Sequence, residues 1–356
     1  MKSVAVILVL LPLFVSAGEV SGTITEANNH WGATGSVSSP VDFYGASVPL
    51  GVEITIDAGT EVRIMSNSLR FDPNVVTAVG TVDNPILFTP VDAVPALGDW
   101  LTVRMDSAYA TAGTFSFCHF RYMSFELDHM DASRPVTFDH CIFDRNFTTA
   151  IDVNNSNPSI VNCTFYSSVP GGDGITLQNC STPVTIRNCI FAELPNGINC
   201  FSSSGAGISY CLSDGDLVPF NCGSVGPGNQ IGSALFVDVR SGDFRLRPTD
   251  PGIDMGDPAD EYSLEPTCGG QNTRINMGAF GNTPLATCKE EDSVLPRALQ
   301  SIAVDKGDIR AVYSLKGRLL SASDLGRPTM LPVSVYVLET SPAHRYRVVS
   351  RTIYLK

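Results

Sequence analysis

Charged side chains recur through the middle of the chain. Asp144 and Arg145 are adjacent, and Asp152, Asp173 and Arg187 follow further along. Abstraction of an α-proton from a uronate needs a general base, together with Ca²⁺ or an Arg or Lys group that neutralises the uronate carboxylate. Asp144, Arg145 and Asp173 are therefore candidate catalytic groups of a polysaccharide lyase, and Asp152 and Arg187 are candidate ligand-binding groups. The simpler interpretation, which we favour, is that all five are surface turn residues.

Two hydrolytic chemistries lack their usual residues. A polygalacturonase-type hydrolase would need an Asp-Asp pair and a Gly-His-Gly, whereas this chain has only the corner motif Gly172-Asp173-Gly174-Ile175. A zinc hydrolase would need histidines spaced as HxH or HExxH. None of the five histidines has that spacing: His30, His119, His129, His140 and His344. The sequence predicts no metal site and no cofactor, apart from the Ca²⁺ that a lyase would use.

The hypothesis that we rank first is a non-catalytic surface module that either binds polysaccharide or is structural. Aromatic side chains combine a large apolar face with a defined geometry and stack well on other rings. Tyr122, Phe147 and Tyr166 are the candidate ligand-binding aromatics, with Phe125 as a fourth.

A regular series of cysteines indicates which elements must position these groups. Cys118, Cys141, Cys163, Cys189 and Cys211 recur at steps of 23, 22, 26 and 22 residues, and short alternating apolar stretches flank each one. A period near 22 residues with two or three short strands is typical of one coil of a parallel β-helix. The cysteines would then form an interior ladder of free thiols, with the Phe two residues later pointing the same way.

Five further cysteines lie outside this ladder. Asn179-Cys180, Asn199-Cys200 and Asn221-Cys222 step by 20 and 22 residues, which predicts an Asn ladder at coil corners. Cys268 and Cys288 bracket a stretch rich in Gly and Asn. A disulfide between them would stabilise the fold by roughly 3 kcal/mol, because closing this loop lowers the entropy of the unfolded chain.

The overall composition limits the partners. The 356 residues contain 23 Lys+Arg and 36 Asp+Glu, for a formal net charge of −13. Binding to nucleic acid or to an anionic membrane surface needs a basic footprint, so both are disfavoured. The abundant Gly and Pro are typical of an all-β protein with many turns.

The first residues resemble an export signal. Lys2 precedes an apolar run from Val4 to Val15, which is too short to span a bilayer, and Ala17 provides a small residue for cleavage. We expect a signal peptide at 1–17 and a secreted or cell-surface protein. No later segment is apolar enough to predict a transmembrane helix.

Two early segments carry a resemblance to a known superfamily. Gly51–Val62 and Ala78–Thr89, followed by Gly98 and Trp100, are similar to the N-terminal coils of bacterial right-handed β-helix proteins of the pectin-lyase-like superfamily. The resemblance implies a right-handed parallel β-helix over 18–285 and implies nothing about the chemistry.

A terminal element closes the predicted solenoid. Pro251–Gly281 resembles an element often found at the end of such solenoids, with Asn276 and Gly281 in place of the usual acidic residues. We expect it to pair with the last coil and to cover it, because a terminal coil needs a polar outer face.

The C-terminal part has a different composition. A charged linker at 286–302 precedes a small antiparallel β-sandwich-like domain at 303–356, whose first strand is predicted at Ala311–Leu320. The domain resembles the C-terminal sorting domain of type IX secretion cargo, although Ser334 replaces the expected Gly; it is also similar to the related immunoglobulin-like fold of flagellar-hook-capping proteins. The resemblance implies the secretion machinery as a partner.

Overall fold

The chain divides into two compact units, Met1–Glu290 and Glu291–Lys356. The structure is a computed structural model. It describes residues 17–49, 51–64, 68–70, 75–91, 101–106, 112–130, 135–146, 148–167, 172–180, 184–203, 207–214, 220–223, 225–289, 333–340 and 346–353. The predicted signal peptide and the strand predicted at Ala311–Leu320 lie outside these residues, apart from Ala17. The division between the units falls in the predicted linker. No helix in the described part of the chain is long and apolar enough to cross a membrane.

The first unit is an all-β solenoid of three parallel sheets with ten, eight and seven strands. Sheet 1 contains β1 (Gly18–Thr23), β3 (Val41–Ser47), β5 (Glu61–Ile64), β8 (Ile86–Pro90), β11 (Cys118–Arg121), β14 (Ile142–Asp144), β17 (Thr164–Tyr166), β20 (Ile190–Ala192), β23 (Leu212–Ser213) and β25 (Gln230–Ile231). Sheet 2 contains β2 (His30–Trp31), β4 (Ile54–Ile56), β7 (Val75–Val79), β10 (Ala112–Ser116), β13 (Val136–Asp139), β16 (Ser159–Val161), β19 (Thr185–Arg187) and β22 (Ile208–Ser209). Sheet 3 contains β6 (Ser68–Arg70), β9 (Leu101–Asp106), β12 (Met123–Asp128), β15 (Ile151–Asn154), β18 (Ile175–Gln178), β21 (Ile198–Phe201) and β24 (Phe220–Asn221).

Period-two alternation decides which side chains enter the core. In β12, Met123, Phe125 and Leu127 are buried, while the residues between them face outward. Successive side chains of a strand point to opposite faces of the sheet, so each strand gives one face to the interior and one to the outside.

The interior contains a stack of phenylalanines that the frame Cys-x-Phe predicts. In sheet 1, Phe120, Phe143, Phe165 and Phe191 lie one above another, with ring centroids 5.0, 4.7 and 4.8 Å apart. All four are fully buried. Stacked aromatic pairs contribute about 0.5–1.5 kcal/mol beyond the area that they bury.

The predicted cysteine ladder is confirmed as a column of buried free thiols. Each Sγ lies near a backbone carbonyl of the preceding coil: that of Cys141 is 3.4 Å from the oxygen of Phe115, and that of Cys163 is 3.6 Å from the oxygen of Phe138. Burial raises the pKa of Cys118 and of Cys163, so these thiols keep their protons. The column is therefore part of the core.

Left-handed residues make the corners of the coil. The corner from sheet 2 to sheet 1 contains one residue with positive φ in each of five coils: Phe117, His140, Asn162, Asn188 and Tyr210. This conformation costs roughly 1–2 kcal/mol for most L-residues and less for Asn, whose side chain bonds locally. Asn155 and Asn179 occupy another corner, after sheet 3.

The predicted Asn179–Asn199–Asn221 ladder is wrong in its first step and in its location at corners, and its second step is confirmed. Asn199 lies within β21 and pairs with Thr176, whereas Asn179 lies at a corner beyond the end of β18. The step of 20 residues therefore does not join equivalent positions, whereas the step of 22 does, because Asn199 and Asn221 pair in register within strands. The cysteines that follow them, Cys200 and Cys222, form a disulfide with a Cα–Cα distance of 5.0 Å.

The chain after β25 lies along the outside of sheet 1. We call residues 232–289 the return segment. It contains an antiparallel hairpin of β26 (Phe236–Asp238) and β27 (Asp243–Leu246), a 3₁₀ turn at Cys268–Gly270, and the expected Cys268–Cys288 disulfide.

The return segment covers several coils rather than only the last one. Its Met277 and Ile253 pack with Ile190 and Leu212 of sheet 1 in a second hydrophobic cluster. Further contacts reach earlier coils, where the backbone N–H of Ala279 donates to Thr164 Oγ1. The expectation that Pro251–Gly281 covers the end of the last coil is therefore corrected to a lateral cover. The physical reason is that the outward positions of sheet 1 become apolar in these coils and must be buried.

The second unit contains an antiparallel pair. β28 (Val333–Thr340) pairs with β29 (Tyr346–Ile353) in unbroken register, from Val333 opposite Ile353 to Thr340 opposite Tyr346.

Candidate functional site

The outer face of sheet 3 is a polar surface built from two rows of side chains. Register places Arg104, Glu126, Asp152, Thr176 and Asn199 in one row, one residue per coil. A second row two residues later contains Asp106, Asp128, Asn154, Gln178 and Phe201. Adjacent members of a row lie about 4.8 Å apart, because this is the spacing of paired strands.

Asp128 connects three neighbouring groups of this face. Its Oδ1 accepts from Asn154 Nδ2 at 2.9 Å and lies 2.6 Å from His129 Nδ1. Its Oδ2 lies 3.3 Å from Arg104 Nη2. The side chain is 25% exposed, so solvent or a ligand can still reach it.

Asp152 continues the surface in the next coil. Its Oδ1 accepts from Gln178 Nε2 at 2.9 Å. Burial raises the pKa of Asp152; the hydrogen bond from Gln178 opposes that shift and the charge of Asp128 adds to it, so that the net pKa is raised. Asp152 therefore takes up a proton at a higher pH than an ordinary aspartate does.

Asp173 accepts hydrogen bonds from two side-chain amides at the edge of the same sheet. Its Oδ1 accepts from Asn196 Nδ2 at 2.7 Å and its Oδ2 accepts from Asn199 Nδ2 at 3.0 Å. Asn221 Nδ2 then donates to Asn199 Oδ1 at 2.7 Å. Phe201, 52% exposed, supplies an aromatic surface beside this end of the ladder.

The predicted pair Asp144 and Arg145 is placed elsewhere, beneath the return segment. The Asp144 side chain is fully buried in β14 of sheet 1, with Arg145 Nη1 at 3.1 Å and Arg121 Nε at 3.5 Å from its Oδ2. Arg145 Nη2 also donates to the carbonyl of Val239 in the hairpin. Asp144 and Asp173 therefore have different neighbours on different sides of the coil, and only Asp173 borders sheet 3.

Most of the other candidate residues contact other parts of the same chain and do not belong to the surface of sheet 3. Arg187 lies in β19 and pairs with Asp260 of the return segment, with Nε and Oδ2 3.0 Å apart. Tyr166 is half-buried against Phe244, 5.5 Å between ring centroids. Tyr122 lies beneath the guanidinium of Arg145 at 5.8 Å.

The two remaining aromatics do not add to the surface. Phe125 is fully buried in the core. Phe147 lies outside the described residues.

Sheet 2 has a hydroxyl ladder on its outer face that the sequence analysis missed. Register aligns one Thr or Ser from each of six consecutive coils: Thr55, Thr77, Thr114, Thr137, Ser159 and Thr185. Each is exposed or half-exposed. The signal in the sequence is a Thr or Ser between two buried apolar residues in every coil, which becomes visible once the register is known.

The sequence also contains a signal for the burial of Asp144. The residue between Cys and Phe in each frame points outward, and it is apolar at Ile142 and Ile190. Asp144 lies two residues after Ile142 and therefore on the same outer face. A strand with apolar residues on both faces indicates that both faces are covered.

The carboxylates of sheet 3 are potential ligands for a metal cation. Within the ranges that the structure describes, no group of three or more His, Cys, Asp or Glu side chains is placed to hold a metal ion. The donors that surround Asp128, Asp152 and Asp173 are side-chain amides, an imidazole and a guanidinium.

Comparison with known proteins agrees with this architecture. Residues 103–212, which contain the whole cysteine column, match the family described as "Right handed beta helix region". The fold and the ladders thus define a right-handed parallel β-helix protein. Among curated proteins, no sequence matches this chain significantly.

Proposed function

We propose that the protein is a polysaccharide-binding module that uses the outer face of sheet 3. The observation that carries the proposal is the ladder of carboxylate and amide groups from Asp128 to Asn221, in which Asp128, Asp152 and Asp173 are each held by amide donors. Groups fixed in this way lose little entropy when they accept sugar hydroxyls.

The charge of the surface selects the class of glycan. Asp106, Glu126, Asp128, Asp152 and Asp173 contribute five carboxylates, and Arg104 in the same rows contributes one cation. Like charges brought together cost free energy, which disfavours a polyuronate. A neutral or amine-bearing chain is the expected ligand.

The test is retention on insoluble or immobilised glycans. The full chain should be retained by a neutral β-glucan or by chitosan more strongly than by polygalacturonate. Asp128→Asn combined with Asp152→Asn should lower the affinity for chitosan at least tenfold, equivalent to about 1.4 kcal/mol. Glu19→Gln combined with Glu61→Gln on sheet 1 is the matched control, because it removes two carboxylates from another face. Equal retention of both variants, or a preference for polygalacturonate, would refute the proposal.

Glycoside hydrolysis is a second candidate, supported by one pair of carboxyl groups. Glu126 and Asp152 are register partners in adjacent strands, about 4.8 Å apart in the backbone. Retaining glycosidases separate their two carboxyl groups by about 5–5.5 Å and need one of them protonated. The raised pKa of Asp152 makes it the acid of such a pair. Release of reducing ends that Asp152→Asn abolishes would favour this candidate, and binding without release would exclude it.

We also propose that the protein is exported and displayed at the cell surface. The two disulfides support an oxidising compartment, where such bonds persist. Mass spectrometry of the mature protein should find an N-terminus after Ala17. Deletion of Ile309–Lys356 should prevent surface display if the C-terminal unit is a sorting domain; unchanged display would contradict it.

A further inference from the structure

The last coil of the solenoid forms an open end of the sheets. Within the described part of the chain, β24 is the final strand of sheet 3 and β25 the final strand of sheet 1, and each pairs with another strand on one side only. Sheet 2 continues past β22 as turn backbone, where the N–H of Gly226 donates to the carbonyl of Ile208 at 2.8 Å. The open side of such an edge presents backbone N–H and C=O groups that can pair with a further strand.

Ile231 shows that the hydrophobic core reaches this end without cover. Register places Ile231 in the column of the stacked phenylalanines, because Phe191 pairs with Ser213 and Ser213 pairs with Ile231. Phe191 and Ser213 are fully buried, whereas Ile231 is 77% exposed. Val225 of the same coil is 37% exposed. An isoleucine in a core column that stays in water forgoes the free energy that burial of an apolar side chain provides.

The last coil itself carries no charge. The chain from Leu217 to Val237 contains no Asp, Glu, Lys, Arg or His. The protein as a whole has a net charge of −13, so that two copies repel each other through their acidic faces. The last coil is therefore a surface on which two copies can approach without this repulsion.

The opposite end of the solenoid does not match this surface. Within the described residues, β1 and β3 of sheet 1 are each followed directly by a strand of sheet 2, and sheet 3 begins only after β5. The exposed carboxylates of Glu19 and Glu26 also lie in this first part of the solenoid. The last coil of a second copy, in contrast, offers open strands and an exposed core residue without charge.

We propose that two copies of this chain associate end to end through their last coils, with β25 antiparallel to β25 of the second copy. A two-fold axis perpendicular to the solenoid axis relates the two copies, so the interface uses the same surface twice and closes at a dimer. Antiparallel pairing satisfies backbone groups of both open edges. Ile231 of each copy is covered by the other copy. The interface does not use the outer face of sheet 3, so the inference is independent of polysaccharide binding.

Sedimentation velocity of the full chain over a range of concentrations measures this association. We expect an equilibrium between monomer and dimer with a dissociation constant in the micromolar range. Ile231→Asp brings two carboxylates together near the two-fold axis and should raise the dissociation constant at least a hundredfold. Leu264→Asp is the matched control, because it adds the same charge at an exposed leucine of the return segment, where the backbone N–H of Leu264 donates to Asn282.

A cross-link tests the position of the interface. Ile231→Cys places a thiol beside its equivalent in the second copy, so a short bis-maleimide should join two chains. Leu264→Cys should give no such product. The six native free thiols are buried and do not compete for the reagent in the folded protein.

Three results would overturn the proposal. The first is a parent chain that stays monomeric at high micromolar concentrations. The second is a series of assemblies that grow beyond the dimer, because it would indicate contacts between unlike ends. The third is an equal effect of the two Asp variants on association, or equal cross-linking of the two Cys variants. Circular dichroism verifies the folding of each variant, and if Ile231→Asp does not fold, the comparison of the Cys variants decides.

Discussion

Asn188 joins the solenoid to the return segment, and its replacement tests how that segment is held. The side chain is fully buried. Its Nδ2 donates to Asn162 Oδ1 at 3.1 Å and to Asp260 Oδ2 at 2.8 Å, and its Oδ1 accepts from the backbone N–H of Asp257 at 2.7 Å. The residue also has a φ of 55°, in the left-handed region.

Two substitutions separate the hydrogen bonds from the backbone conformation. Asn188→Gly keeps the φ accessible and removes three hydrogen bonds, each worth about 0.5–1.5 kcal/mol, and leaves buried partners unsatisfied. We expect a loss of roughly 2–4 kcal/mol. Asn188→Ala should cost about 1 kcal/mol more, because alanine resists this φ.

Asn155 is the matched control. It has a φ of 45°, but it is exposed at a corner after sheet 3. Asn155→Ala should therefore be less stable than Asn155→Gly by the same increment of about 1 kcal/mol, while Asn155→Gly itself stays near the parent protein.

Urea unfolding followed by circular dichroism gives the free energies of unfolding. Hydrogen exchange locates the effect in both Asn188 variants: the amide of Asp257, which loses its acceptor, and the amide of Gly278, which donates to the backbone carbonyl of Asn188 at 2.7 Å, should exchange faster. If Asn188→Gly were as stable as Asn155→Gly and exchange at Asp257 were unchanged, the assignment of Asn188 as an attachment point would be refuted.

Four further predictions concern the core, the titrating groups and the cofactor requirement. Phe165→Ala should destabilise the solenoid by about 3–5 kcal/mol in urea unfolding, because the ring is fully buried between two stacked neighbours; Phe201→Ala, at an exposed position, should change stability far less. Burial by itself lowers the pKa of His140, but Asp139 and the Gly281 carbonyl raise it above the ordinary value, so the associated stability is present at low pH and is lost as the pH rises through the raised pKa. His140→Phe should remove that part of the pH dependence, and an unchanged profile would contradict the assignment. Iodoacetamide should modify none of the six buried thiols in the native protein and all six after denaturation, as mass spectrometry of the peptides would show; modification of Cys163 without denaturant would disprove the closed core. Glycan retention should be unaffected by EDTA or by added Ca²⁺, whereas a Ca²⁺-dependent lyase would lose its activity on chelation.

The repeat made the interior of the solenoid predictable. The Cys-x-Phe frame recurs once per coil, and in a parallel stack one repeated frame brings equivalent residues together, so the thiol and phenylalanine columns follow from it. The series Asn179, Asn199 and Asn221 failed at its first step, because similar spacing can connect a corner with a strand and only the register distinguishes them; its second step, from Asn199 to Asn221, joins register partners.

The candidate site was harder to predict from the sequence, because its position depends on which outer faces of the solenoid remain exposed to solvent. Asp152 and Asp173 were candidates and lie on or beside the open sheet 3, where register adds Glu126, Asp128 and Asn199. Asp144 was an equally suitable catalytic candidate by sequence. It is buried, however, beneath the return segment near Val239, which lies nearly a hundred residues later in the chain.

The sequence alone therefore determined the local pattern: the alternation of buried and outward residues, the period of the coil, and the presence of carboxylates on the outside. Only the tertiary structure decided which of those outward residues meet solvent. The physical reason is that alternation is set by the geometry of the strand itself, whereas cover depends on contacts between distant parts of the chain. Residues 232–289 pack over the apolar outer positions of sheet 1 and leave the carboxylate and amide ladder of sheet 3 partly exposed.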